Sequence, residues 1–210
     1  MHARTVRHAI LPLLALVAVP AAAWDPAFGF DFTLHGGFDR YDAVSLKSGL
    51  RAADFTDGQQ LKDASLTVGA TGIVRLGIFE VGLLGEQGRP GRANPTATFG
   101  ALGGLGMSLG RLRLEALGEL GGQRYADALN NPAVIRDTNR ADWLAYAGLR
   151  PGLSLRLGET GNWLVGLWAF ARWDLMQKDV HVTLAQVSGD GRYDLGGSQI
   201  GAAARLGFTF

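Results

Sequence analysis

Residues of two kinds alternate one by one over long stretches of this chain, and this pattern constrains its fold more than any other feature. Between residues 199 and 210, one series is apolar and the other is polar or small. The apolar series is Ile200, Ala202, Ala204, Leu206, Phe208 and Phe210, and the other is Gln199, Gly201, Ala203, Arg205, Gly207 and Thr209. Because successive side chains of a strand point to opposite faces, a period of two predicts β-strands with one apolar face.

Eight segments show this alternation: 28–40, 63–75, 78–87, 96–109, 111–124, 141–156, 162–174 and 198–210. Most are longer than the five or six residues typical of soluble strands. They match the roughly 9–11 residues that a tilted strand needs to cross a bilayer. Proline is almost absent from them, as ladder hydrogen bonding requires, and the exception, Pro151, predicts a bulge in the sixth segment.

The connections between these segments alternate in length. Long connections cover 41–62, 88–95, 125–140 and 175–197, and short ones cover 76–77, 110 and 157–161. An even number of antiparallel strands places both chain ends on the side of the short turns. Because transmembrane β-barrels have short periplasmic turns and longer external loops, the sequence predicts a closed, antiparallel, eight-stranded up-and-down transmembrane β-barrel over residues 24–210, with periplasmic termini.

The first 23 residues predict a cleaved secretory signal peptide. Arg4 and Arg7 precede an apolar run of about ten residues, and Pro20 precedes three alanines. A basic start, a short apolar run and small residues before the cleavage point are typical of such a leader. The run is too short for the roughly 20 residues of a spanning helix.

Composition excludes several classes of function. The sequence has no cysteine, which excludes disulfides, thiolate metal sites and lipid attachment at a cysteine. Without Arg4 and Arg7, 18 basic residues face 19 acidic ones and no basic block remains, so no nucleic-acid partner is indicated. Hydrophobic residues make up 47% and 31 residues are glycine. The apolar residues are therefore spread along the chain in alternation rather than gathered in a helix-length run.

Aromatic residues and the chain end carry a resemblance to a known group of proteins. The aromatic residues towards the short-turn side are Trp24, Phe28, Phe79, Trp163, Phe208 and Phe210, and those towards the long-connection side are Phe38, Tyr41, Phe99, Tyr125, Trp143 and Trp173. We expect these two groups to form aromatic girdles at the two membrane interfaces. The chain resembles the small outer-membrane barrels of the OmpA-transmembrane-domain, OmpX and OmpW kind. Its last residues, Arg205 to Phe210, resemble the terminal signal of such barrels, with Phe208 and Phe210 as its aromatic residues. The resemblance implies the outer membrane of a Gram-negative bacterium, with lipopolysaccharide and the barrel assembly machinery as partners.

The inward series of the predicted strands carries charges of both signs. We expect a lumen network of Asp31, His35, Arg75, Glu80, Arg113, Glu115, Glu119, Arg150, Arg172 and Arg205. Counting along the strands places Glu86, Asp39 and Asp174 near the outer rim. Eight strands enclose little more than side chains, and an unpaired buried charge is costly. The favoured interpretation is therefore a structural network of paired charges that plugs the barrel. The alternative is a polar path for protons or small solutes.

Candidate chemistry centres on the two histidines of the predicted mature chain. His35 lies mid-strand and faces inward, but no serine accompanies it in the pattern that a catalytic triad needs. His181 lies in the last long connection, in a setting that resembles the outer-membrane lipid A deacylases, but Thr183 stands where their motif has serine. The alternation of Val180, Val182 and Leu184 instead predicts a strand that extends above the membrane, with a turn at 188–191. We therefore predict no catalytic residue, cofactor or metal site, and interpret Asp190 and Asp194 as part of a solvated turn.

The leading hypothesis for function is a structural or surface-interaction barrel that displays loops to the exterior. The first alternative is a narrow conduit for small or apolar solutes, and the second is a lipid-modifying enzyme. The sequence does not identify a loop partner.

Overall fold

A computed structural model describes residues 28–48, 60–88, 95–126, 141–158, 162–183 and 190–210. The described part of the chain consists of nine strands: β1 Gly29–Ser48, β2 Gln60–Leu76, β3 Phe79–Gly88, β4 Ala97–Leu109, β5 Leu112–Ala126, β6 Ala141–Leu157, β7 Trp163–Asp174, β8 Lys178–Thr183 and β9 Asp190–Thr209. Among the described residues there is no helix long and apolar enough to cross a membrane. The predicted leader, residues 1–23, lies outside the described ranges.

Eight of these strands close into a barrel. β1 to β7 pair in sequence order, β9 follows β7, and β1 pairs with β9, every pairing being antiparallel. The predicted closed, antiparallel, eight-stranded, up-and-down barrel is therefore confirmed. Closure leaves the eight-stranded wall without an open edge, as a backbone surrounded by lipid requires.

The strand pairing also gives the stagger of the barrel. One line of paired residues runs once around the wall through Phe30, Val74, Val81, Gly103, Gly118, Leu149, Ala171, Ile200 and Arg40. The line leaves β1 at Phe30 and returns to it at Arg40, ten residues further along. A stagger of this kind accompanies strands tilted by roughly 35–45° to the barrel axis.

The short connections and both ends of the barrel chain lie at one end. Gly77 and Gly110 each adopt a φ of 64° in the tight turns between β2 and β3 and between β4 and β5. This left-handed conformation favours glycine because it has no Cβ. At the same end, the Phe210 amide donates to the Phe30 carbonyl at 2.8 Å. The start of β1 and the last residue, Phe210, thus lie beside the short turns, as predicted for these two ends of the barrel.

One side of the wall rises above the rest. β1 continues to Ser48 through a register shift between Asp42 and Val44, and β9 begins at Asp190. β8, which residues 175–177 separate from β7, pairs with the upper part of β9. β8 lies where the alternation of Val180 and Val182 predicts a strand. The predicted turn at 188–191 is wrong for its second half, because Asp190 and Gly191 belong to β9 and pair with Thr183 and Val182, and Asp194 likewise lies in β9 rather than in a turn. Residues 188–189 lie outside the described ranges.

Pro151 does not mark a bulge, so that prediction is wrong. The pairs Leu149–Ala171 and Gly152–Trp168 on either side of Pro151 keep the same register between β6 and β7. The strand therefore accepts the missing N–H of proline without inserting a residue.

The two faces of the wall have opposite chemistry. Outward side chains such as Leu83, Val68 and Leu120 are 71%, 62% and 62% exposed, whereas Arg75 and Arg113 are fully buried inside. Aromatic pairs lie outside at both ends: Trp163 with Phe208, with ring centroids 3.8 Å apart, and Phe99 with Trp143, 6.2 Å apart. An apolar outer surface with aromatic residues near its two edges is typical of a barrel wall that faces lipid.

Candidate functional site: the barrel interior

The lowest part of the interior, beside the short turns, holds an ion pair between β1 and β2. Arg75 Nη2 lies 3.0 Å from Asp31 Oδ1. The hydroxyl of Thr209, at the end of β9, donates to the same oxygen at 2.7 Å. Three neighbouring strands are thus linked by one carboxylate.

Above this pair, Glu115 binds three side chains of the lumen. Its Oε1 accepts a hydrogen bond from Arg113 Nε at 3.1 Å, and Arg113 also pairs with Glu80. Its Oε2 lies 2.6 Å from Arg205 Nη2 and accepts a hydrogen bond from the Trp168 indole N–H at 3.0 Å. Both oxygens therefore bind donors, and these come from both sides of the barrel.

The middle of the lumen holds two carboxylates between two guanidinium groups. Glu86 lies 2.7 Å from Arg150 Nη2 and 2.6 Å from Arg172 Nη1. Glu119 also pairs with both arginines, with Arg172 Nε at 2.6 Å. His35 Nε2 adds a contact to Glu86 Oε1 at 2.9 Å. Hydrogen bonds between charged groups are the strong ones in proteins, and here each carboxylate is shared by two arginines.

Two aromatic rings of β7 cross the lumen among these charges. Trp168 is only 1% exposed, and the guanidinium carbons of Arg205 and Arg150 lie 4.2 and 5.0 Å from its ring centroid. The ring centroid of Phe170 lies 5.0 Å from the guanidinium carbon of Arg150 and 4.7 Å from that of Arg172. Cations over aromatic faces at such distances are stabilised by the ring quadrupole, most strongly where water is excluded.

Glycines on the two strands that pair with β7 make room for these rings. A Cβ built on Gly152 would collide with the Trp168 indole, and one built on Gly201 would collide with the Phe170 ring. The large inward residues of β7 are therefore matched by inward glycines on β6 and β9. This matching accounts for part of the high glycine content of the chain.

The upper part of the interior is filled by amides, tyrosines and aspartates. Gln199 Oε1 accepts a hydrogen bond from Gln123 Nε2 at 2.9 Å, and Gln199 donates to Asp39. Tyr41 donates to Gln123 Oε1 at 2.7 Å. Above them, Tyr125 donates to Asp174 Oδ2 at 2.7 Å. Buried and half-buried side chains thus form a column of contacts that runs from Asp31 to Asp174.

The structure brings the sequence-predicted lumen residues together. All ten are buried within the barrel: Asp31, His35, Arg75, Glu80, Arg113, Glu115, Glu119, Arg150, Arg172 and Arg205. The prediction that Glu86 lies near the outer rim is wrong. Glu86 lies in the middle layer with Arg150 and Arg172, because β3 is only ten residues long while the neighbouring β2 continues further.

Several interior residues were not predicted individually. Trp168, Phe170 and Gln123 lie on the inward series of the predicted strands, so the alternation already placed them inside. The expectation that Tyr41 and Tyr125 belong to the aromatic girdle is wrong. β1 and β5 extend past the predicted segments in the same register, and both tyrosines are buried inside the barrel. Their partners could not be derived, because the period of one strand does not give the stagger between strands that sets which side chains meet.

The two histidines have different surroundings. His35 contacts Glu86 and packs edge-on against Trp168, with ring centroids 5.5 Å apart. His181 is exposed on β8, opposite Arg192 of β9. Among the described residues, no group of three or more histidine or acidic side chains is arranged to hold a metal ion.

Comparisons with known proteins place the chain beside two small barrels. No family model matches the chain, and no curated protein matches it. The structure of Neisserial surface protein A is 8% identical, with 86% of this chain and 97% of that chain covered and a TM-score of 0.48. The outer membrane protein OprG from Pseudomonas aeruginosa is 12% identical, with 86% and 95% covered and a TM-score of 0.46. The closed eight-stranded barrel itself follows from the strand pairing described above.

Proposed function

We propose that this protein is an integral outer-membrane barrel whose interior is a structural plug and whose projecting strands form an interaction surface. The observation that carries the proposal is the column of paired side chains across the lumen, with Glu86 and Glu119 each shared by Arg150 and Arg172. A conduit needs a wettable path, whereas these charges are buried and turned towards one another. We assign no catalytic role to His35 or His181.

The plug supports a role in stability rather than passage. Desolvating a charge costs several kcal/mol, and only close, well-oriented partners offset this cost. Four arginines pair with carboxylates on strands that do not neighbour their own, and these pairs tie separate parts of the wall together: Arg113, Arg150, Arg172 and Arg205. A stiff, closed barrel suits a protein that holds external segments in place.

The rising side of the wall supplies the interaction surface. Lys178 Nζ lies 2.5 Å from Asp142 Oδ1, and Arg192 Nη2 lies 2.5 Å from Asp179 Oδ2 at an exposed position. Charged residues of both signs on exposed strands fit a surface that meets water or polar headgroups. Lipopolysaccharide around the barrel and the barrel assembly machinery at the chain end are the partners that we propose; the external partner is unassigned.

Orientation is tested by chemical labelling in this cysteine-free chain. Met176 lies at the long-connection end and Arg111 in a short turn, and both are exposed. We expect an impermeant thiol reagent to label Met176→Cys on intact cells, and Arg111→Cys only after the outer membrane is opened. The reverse pattern would show that the barrel is inserted the other way.

The closed-lumen proposal is tested by solute entry. Vesicles that contain the purified barrel are placed in an isotonic solution of arabinose, and their swelling rate is compared with that of protein-free vesicles. We expect equal rates. Faster swelling of the barrel-containing vesicles would support the conduit alternative instead.

A further inference from the structure

An apolar groove crosses the outward face of the barrel wall. Small residues form its floor, among them Gly36, Ala70, Gly85 and Ala97, and larger apolar side chains flank it: Leu34, Val68, Phe99 and Leu206. The groove encloses about 1240 Å³. The flanking side chains are more than half exposed, so their apolar surface is available to a molecule outside the barrel.

The groove follows a diagonal line across the wall. One line of paired residues runs through Ala204, Gly36, Val68, Gln87, Ala97 and Arg124. Ala204 lies five residues from the Thr209 end of β9, whereas Arg124 lies twelve residues from the Leu112 end of β5. With a rise of about 3.3 Å per residue and a tilt near 40°, Arg124 is about 30 Å above the short-turn end. This height equals the roughly 30 Å thickness of the hydrocarbon layer.

The upper end of the groove carries a positive charge. Arg124 is half-buried on the outward face, paired in register with Trp143, and Trp143 packs near Phe99. No carboxylate of the described residues forms an ion pair with its guanidinium, and the outward-facing lining residues of the groove include no acidic side chain. A guanidinium matches a phosphate through two parallel hydrogen bonds.

We propose that the groove binds a phosphorylated, multi-acyl glycolipid of the outer leaflet, lipid A in chemical class. One acyl chain lies along the small-residue floor, and a phosphate of the headgroup meets Arg124. The apolar lining suits an acyl chain, and the guanidinium at its upper end suits a phosphate. The assignment to the outer leaflet rests on the orientation proposed above, which the labelling of Met176→Cys and Arg111→Cys tests separately.

The binding test uses the full-length folded barrel in detergent, titrated with three lipids and followed by native mass spectrometry. The lipids are bisphosphorylated lipid A, the same lipid without its phosphates, and phosphatidylglycerol. Arg124→Gln removes the charge, and Gly36→Leu fills the floor; a Cβ on Gly36 has its nearest neighbour, the Thr67 carbonyl oxygen, at 3.9 Å. Gly103→Leu is the matched control, since a Cβ there meets nothing within 4 Å and the residue lies outside the groove.

We expect Arg124→Gln to weaken binding of bisphosphorylated lipid A about tenfold, the size of one hydrogen bond between charged groups. It should leave binding of the dephosphorylated lipid unchanged. Gly36→Leu should weaken both, and Gly103→Leu neither. Heat-modifiable migration on a gel verifies that each variant forms the closed barrel.

Three results would overturn the proposal. Equal affinity of wild type and Arg124→Gln for bisphosphorylated lipid A would remove the role of the charge. Equally tight binding of phosphatidylglycerol would mean that the groove selects no glycolipid. A wild-type dimer that Gly36→Leu dissociates would assign the groove to a second copy of the chain.

Discussion

Glu86 of β3 and Arg172 of β7 form an ion pair across the barrel interior, with Oε2 and Nη1 2.6 Å apart. β3 and β7 are not neighbours in the wall, so this contact spans the lumen. Arg150 lies 2.7 Å from the other oxygen of the same carboxylate. Glu86 is thus a point at which strands from separate parts of the sheet are held together.

Removal of this carboxylate should destabilise the barrel strongly. Glu86→Ala leaves two buried arginines with only Glu119 between them. Breaking a buried charge pair typically costs about 3–5 kcal/mol, and we expect a loss of that order in the free energy of unfolding, measured by reversible denaturation in lipid vesicles. Gln87→Ala, the adjacent outward position, is the control and should change little. Similar small losses for both variants would mean that the charge network contributes little to stability.

The packing of Trp168 against Gly152 gives a second prediction. Gly152→Val places side-chain atoms where the indole lies. Overpacking of this kind usually costs about 1–3 kcal/mol, so the denaturation midpoint should fall. Gly103→Val is the control, because its side chain enters open space on the outer face. If both valines lower the midpoint equally, the cost reflects the loss of glycine in a strand rather than a collision with Trp168.

The outward register of β7 predicts a penalty for charge on the lipid side. Leu167 is 60% exposed and pairs with Leu153 and Ala204. Leu167→Arg should cost about 2–4 kcal/mol, as arginine does near the middle of a bilayer. Met176→Arg, beyond the end of β7, should cost far less. A near-zero penalty at Leu167 would contradict its assignment to the hydrocarbon layer.

The last residue should matter for assembly. Phe210 pairs with Phe30 through two backbone hydrogen bonds. Its ring centroid lies 6.2 Å from that of Phe30 and 6.4 Å from that of Phe208. We expect Phe210→Ala to reduce the heat-modifiable, closed form recovered from cells, because the terminal aromatic residue is part of the proposed assembly signal. Phe28→Ala removes another exposed ring, 67% against 77% for Phe210, outside that signal and should have little effect. Undiminished recovery of Phe210→Ala would remove the proposed role of the chain end.

The architecture could be predicted from the sequence because one face of each of the eight wall strands is apolar over most of its length. An apolar series from Ile200 to Phe210 and its counterparts fix which side chains point outward, and the lengths of the connections fix the order of neighbours. The positions of the charges relative to one another depend in addition on the stagger between neighbouring strands. Phe30 and Arg40 lie on the same line of pairs around the barrel, and this stagger of ten residues cannot be read from any single strand.

The wrong depth predicted for Glu86 is a consequence of not knowing this stagger. Counting residues from the short-turn side placed Glu86 near the rim, but the stagger between strands brings it level with Arg150 and Arg172. β1 and β9 are also longer than the alternating segments 28–40 and 198–210 that predicted them. Their additional parts, such as Asp190 to Leu195, lack a strict apolar alternation, so this pattern could not reveal them.

The plugged interior is the central claim, and ion conductance of the wild-type barrel in planar lipid bilayers tests it most directly. With Glu86, Glu119, Arg150 and Arg172 paired across the lumen, insertion of the barrel should add almost no current above the bare bilayer in molar potassium chloride. Unfolded protein of the same preparation serves as the control for leakage. Discrete, stable current steps that appear only with the folded barrel would contradict a closed lumen.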